Sequence, residues 1–141
     1  MESEHGMIHK RLVVPGVLSS LETVHCWAVS ALGELRLPEV ALHNILLAIS
    51  EAVTNAIRHG SKEHEEHRVV VSLAASSSKV EIQVDDEGDG FDPAAVPDPT
   101  QGDLLFRPGG RGIFLLRALT NDLQVRSSGD GTKVLFSFVL K

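Results

Sequence analysis

The chain has 141 residues, 43% of them hydrophobic, which suits one globular domain with a complete core. A formal net charge of −6 argues against a general nucleic-acid surface, because phosphate binding needs a basic field, and with no Tyr, five Phe and one Trp there is no base-stacking platform. The single cysteine, Cys26, rules out an internal disulfide, and its apolar neighbours Val24, Trp27 and Ala28 lead us to expect a buried thiol.

The chain opens on Met1-Glu2-Ser3-Glu4-His5, acidic and without the basic-then-apolar pattern of a signal sequence. No uninterrupted apolar run reaches the roughly 20 residues a bilayer requires, so a cytoplasmic protein with no membrane partner is expected. Residues 8–14 have the composition of a short strand stopped by Pro15-Gly16. Across 17–35, Val17, Leu21, Val24, Ala28, Ala31 and Leu32 recur at helical spacing. Pro38 and Glu39 suit the first turn of a second helix, which the pattern carries to His59 and stops at Gly60. Residues 68–74 and 79–86 form a predicted hairpin around a Ser-rich turn, and 123–128 with 132–140 form another, turned by Gly129-Asp130-Gly131. Between the hairpins, 112–119 reads as a third helix. Strand, two helices, two strands, helix and two strands suit a single α+β domain over 1–141, an α/β sandwich whose mixed sheet carries helices on one face. There is no internal repeat or low-complexity segment.

The second helix carries a polar stripe. Glu51, Asn55 and His59 recur every four residues, with Arg58 beside them, while Ile45, Ile49, Val53, Ala56 and Ile57 mark the core-facing side. A carboxylate, a carboxamide and an imidazole so aligned can hold a metal ion and activate a hydroxyl; a solvated helix face has the same pattern. In 79–86, Val80, Ile82 and Val84 share one strand face and Asp86 continues their parity, which aims a carboxylate at the helix-covered side where lacking a partner is expensive. A ligand amino group would supply one; alternatively Asp85 and Asp86 are turn residues. The proline-bearing loop 93–108 ends at Gly109-Gly110-Arg111-Gly112, where free N–H groups at a helix start suit a phosphate cradle and Arg111 can add a charge. No P-loop, dinucleotide turn or H-R-D kinase sequence occurs. His64-Glu65-Glu66-His67 lacks H-E-x-x-H spacing and reads as a charged loop.

Glu51 to His59, Asp86-Glu87-Gly88-Asp89-Gly90, Gly109 to Gly112 and Gly129-Asp130-Gly131-Thr132, in that order, resemble the N, G1, G2 and G3 boxes of the GHKL ATPase superfamily. EAVTNAIRH with GRGIFLL looks most like its small bacterial anti-sigma-factor serine/threonine kinases, Leu116 being a mild departure from isoleucine. The resemblance spans about residues 11–140 and implies a Bergerat-type fold with a mainly antiparallel sheet, ATP and Mg²⁺ as cofactors, and 93–108 as an ATP lid. It implies that Asp86 accepts from the adenine amino group, with Gly88 and Gly90 letting the backbone approach the base and Thr132 nearby. It implies Asn55 as the Mg²⁺ ligand and Glu51 as the base; His59 is expected to anchor the helix end, and Gly110, Arg111 and Gly112 to meet phosphate. It further implies a sigma factor and a serine-bearing antagonist protein as partners, and a homodimer. A nucleotide-gated binding module without kinase activity, or a detached histidine-kinase catalytic domain, is the alternative.

Overall fold

The computed structural model describes residues 8–60, 66–87, 116–128 and 131–140, apart from the side chains at 59, 60, 127 and 128. Its elements are β1 (Ile8–Pro15), α1 (Ser20–Gly33), α2 (Glu39–Asn55), a π-helical turn (Ala56–Gly60), β2 (Arg68–Ala75), β3 (Lys79–Asp86), β4 (Asp122–Ser128) and β5 (Gly131–Val139). Residues 116–119 are helical, where the sequence predicts the end of a third helix. The five strands form one sheet in the order β1-β2-β3-β5-β4. Every pairing is antiparallel, so the mixed sheet expected from the sequence resolves to an antiparallel one across the described strands. For β2–β3 and β4–β5 the cause is connectivity, because a short connection between neighbouring strands closes only antiparallel.

Burial alternates along the strands as the period-two pattern requires. Val69, Val71, Leu73 and Ala75 of β2, Val80, Ile82 and Val84 of β3, and Val134, Phe136 and Phe138 of β5 all face one side and are buried. The helices cover that side. From α2 come Ile45, Ala48, Ile49, Ala52 and Val53, and from α1 Val24, Ala28 and Leu32, spaced three and four apart so that each helix presents one stripe to the same core. Leu116 is fully buried in this cluster and Leu123 and Val125 of β4 pack against it.

Two local expectations change. Helix α1 begins at Ser20 rather than 17, because residues 17–20 form a turn in which Ser20 N–H donates to the Val17 carbonyl at 2.9 Å and Ser20 Oγ donates to the Pro15 carbonyl at 2.7 Å. Cys26 is exposed, not buried. Its sequence neighbours Val24 and Ala28 are core residues, but two positions along a helix is about 200° of rotation, which puts Cys26 on the outer side. By length and composition Glu39–Arg58 is apolar enough to cross a bilayer, although it holds no uninterrupted apolar run of that length. In this fold Ile45, Ala48, Ile49, Ala52 and Val53 within it form the core stripe of α2, and Glu51 and Asn55 interrupt the apolar run.

Candidate functional site

The described polar side chains that the core does bury are few: Ser20, Asn55, Asp86, Thr132 and Ser137. Three of these five are candidates from the sequence, and they arrive on three different elements. Asn55, 5% exposed, is the last residue of α2. The helix then widens into the π-helical turn, which packs against β3 and β5. Asp86, 7% exposed, is the last residue of β3, and Thr132, 4% exposed, is the second residue of β5.

Asp86 and Thr132 are brought together directly. They are opposite one another in the β3–β5 ladder, and Thr132 N–H donates to Asp86 Oδ1 at 3.2 Å. The alternative of a turn for Asp85 and Asp86 does not apply, since both are paired within β2–β3 and β3–β5. The two carboxylates point to opposite faces. Asp85 lies on the sheet face away from the helices and accepts from Gln83 Nε2 at 2.9 Å, whereas Asp86 keeps the parity of Val80, Ile82 and Val84. A carboxylate buried on the core side needs hydrogen-bond donors, and the Thr132 N–H is one of them.

Gly131 shows why a glycine turn precedes Thr132. Its φ is 147°, and a Cβ there would collide with the Asp86 carbonyl oxygen, so only glycine lets β5 lie this close to the end of β3. On the other side of the same strand end, Arg68 binds Glu87 through Nη2 at 2.8 Å, Nε at 3.2 Å and its backbone N–H at 2.9 Å. Composition and spacing hold no signal for this pair; only the register of β2 against β3 creates it.

Glu51 and Arg58 are both half-buried on α2 and the π-helical turn. Arg58 Nε is out of solvent and has no hydrogen-bond partner among the described residues. The Asn55 carboxamide has no side-chain hydrogen bond among the described residues either, so its oxygen is open to a hard cation, which suits Mg²⁺ with its preference for oxygen ligands and retained waters. The backbone of His59 belongs to the π-helical turn, while its side chain lies outside the described residues, as do Gly88, Gly90, Gly110, Arg111, Gly112 and the 93–108 loop. A separate groove of about 340 Å³, lined by residues including His9, Arg11, Ser72, Glu81, Gln83 and Leu135, crosses the sheet face away from the helices. By strand parity it is on the opposite side of the sheet from Asp86.

The chain is similar to curated serine-protein kinases named RsbW: 30% identical over 94 residues to that of Listeria monocytogenes, covering 60% of this chain and 58% of the relative, and 28% identical over 102 residues to that of Staphylococcus aureus, covering 67% and 64%. It thus spans less than two thirds of the length of the curated relatives it matches. Its fold is similar to a crystal structure of the RsbU and RsbW domains of Rv1364c from Mycobacterium tuberculosis, with a TM-score of 0.68 and 19% identity over 93% of this chain and 32% of that one. It is also similar to the histidine kinase domain of the Erythrobacter litoralis blue-light activated histidine kinase, at a TM-score of 0.58 and 24% identity over 89% and 61%. The family model of the histidine kinase-like ATPase domain matches residues 14–138, from the end of β1 to the end of β5, and the chain belongs to that family.

Proposed function

We propose that the chain binds ATP with Mg²⁺, transfers the γ-phosphoryl group to a serine of an antagonist protein, and sequesters a sigma factor. The observation that carries nucleotide binding is the Asp86 carboxylate, buried at the end of β3 on the helix-covered side of the sheet, where Thr132 N–H donates to its Oδ1. An adenine amino group is a donor of the kind that a buried carboxylate accepts. The family and the kinases it resembles support the phosphotransfer step.

Asn55 would hold Mg²⁺ through its amide oxygen; when bound, the ion offsets charge on the phosphate oxygens. Glu51 lies one helical turn before Asn55, on the same side of α2. Its carboxylate takes the proton of the serine hydroxyl as the oxygen attacks the γ-phosphorus, and the bond from that phosphorus to the bridging oxygen breaks to leave ADP. Gly88 and Gly90 are assigned to the base, Gly110, Arg111 and Gly112 to the phosphates, and His59 to the helix end, each on the sequence resemblance. A Glu at 51 favours catalysis over a module that only binds nucleotide, since binding alone needs no base.

Replacing Asp86 with Asn tests the reading. One hydrogen bond to a charged acceptor is worth about 1.5–3 kcal/mol, so ATP affinity should fall roughly ten- to a hundredfold. GTP should bind more weakly than ATP to the unaltered protein, because guanine has a carbonyl where adenine has the amino group. Equal affinities by calorimetry reject the adenine assignment. Incubation with labelled ATP and candidate antagonists then separates phosphoserine, phosphohistidine and no transfer.

A further inference from the structure

The end of β3 is gripped from both sides. In the β2–β3 ladder Val69 stands opposite Asp86, and one position further Arg68 faces the point where the chain leaves the sheet. There a side chain continues the ladder: Arg68 N–H donates to Glu87 Oε1 at 2.9 Å, and Arg68 Nε and Nη2 both donate to Oε2, at 3.2 and 2.8 Å. The hydrogen bond from the Arg68 side chain holds the Glu87 carboxyl below the usual carboxylate range, and the same bond raises the guanidinium of Arg68. Arg68 is itself fixed by pairing with Pro15 of β1. From β5, Gly131 closes over the Asp86 carbonyl, and a Cβ there would also stand 3.4 Å from the Glu87 Cα. The Asp86–Glu87 peptide therefore has no freedom to swing toward either neighbouring strand, and Glu87 is the last described residue before the glycines at 88 and 90.

We propose that the Arg68–Glu87 pair is a positioning element of the nucleotide site, fixing the direction in which the Asp86 carboxylate meets the purine edge; this rests on the ATP reading above. Neither residue touches the base. Both are largely exposed, and an exposed ion pair contributes little to global stability. Three hydrogen bonds to one carboxylate instead fix its direction. A carboxylate that discriminates an amino group from a carbonyl must hold its angle, so loosening this grip affects selectivity more than folding.

The test is calorimetric titration of the full chain with ATP and with GTP, for the unaltered protein, Glu87→Ala, Arg68→Ala and the double variant, each with a thermal melt. The unaltered protein should bind ATP. Each single variant should bind ATP about three- to tenfold more weakly, with a narrower preference over GTP. The melting temperature should move by less than about 4 °C. The double variant should be no weaker than either single one, because all three remove the same interaction. Unchanged affinity and preference in Glu87→Ala overturn the proposal. So does a loss equal for ATP and GTP that follows a lowered melting temperature, which marks a merely structural pair. If the unaltered protein binds no ATP, the functional reading fails and this inference with it.

Discussion

A methyl group at position 131 would strike the carbonyl oxygen of Asp86 and would have to hold a φ of 147°, a conformation that side chains rarely adopt. Gly131→Ala should therefore destabilise the chain by about 1–3 kcal/mol or part β5 from β3. Urea unfolding measures the first outcome, and loss of ATP binding at unchanged stability reports the second. The carboxyl of Glu87 makes a second prediction at this scale. Its folded value is lowered, so the stabilisation from its pairing with Arg68 is present above the ordinary carboxylate value and is lost as pH falls through the depressed one. The stability of Glu87→Gln should accordingly converge on that of the unaltered protein below the usual carboxylate range, the difference at neutral pH being small because both groups are exposed. A constant gap across that range, in paired urea curves, would show that charge plays no part.

Helix α2 separates fold from chemistry by face. Ile49 is 1% exposed in the core cluster, so Ile49→Ala should cost about 2–5 kcal/mol in chemical denaturation. Glu51, two residues on and half-buried, is proposed as the base; Glu51→Gln should change stability by less than about 1 kcal/mol while slowing phosphoryl transfer roughly 10²–10⁴-fold in single-turnover assays. A full transfer rate would remove Glu51 from the mechanism. The division of α2 into two faces was legible in the sequence, because Ile45, Ile49 and Val53 repeat every four residues, close to the helical period. Its π-helical ending was not, since over the five residues 56–60 a period of 3.6 cannot be told from a wider one. The parity of Asp86 with Val80, Ile82 and Val84 was legible from strand alternation alone. Thr132 was placed near it only by the family resemblance and Val69 not at all, because which residues of β5 and β2 stand beside it depends on register, a property of the paired sheet rather than of either strand. Cys26 failed for a related reason, because apolar neighbours in sequence do not share a helix face.

At the scale of the molecule, the helices cover one sheet face, and among the described strands β1 and β4 are the two edges of the sheet. Open edges invite pairing unless charge or proline guards them. β1 carries His9, Lys10 and Arg11 and ends in Pro15, yet Lys10 is partly engaged by Glu34 at the end of α1, at 3.3 Å. Val13, on the same strand, is 44% exposed, an apolar group on an edge that a partner could cover. We therefore propose a symmetric dimer with β1 near the interface, since a twofold axis lets one edge meet its own copy. Light scattering at micromolar concentration should give twice the chain mass of 15.2 kDa, and a value near 15.2 kDa rejects the dimer. Val13→Lys places a like charge in both copies at the same patch and should shift the mass toward the monomer without loss of folding, because the side chain lies outside the core. If Val13→Lys stays dimeric, the stoichiometry stands and the interface lies away from β1.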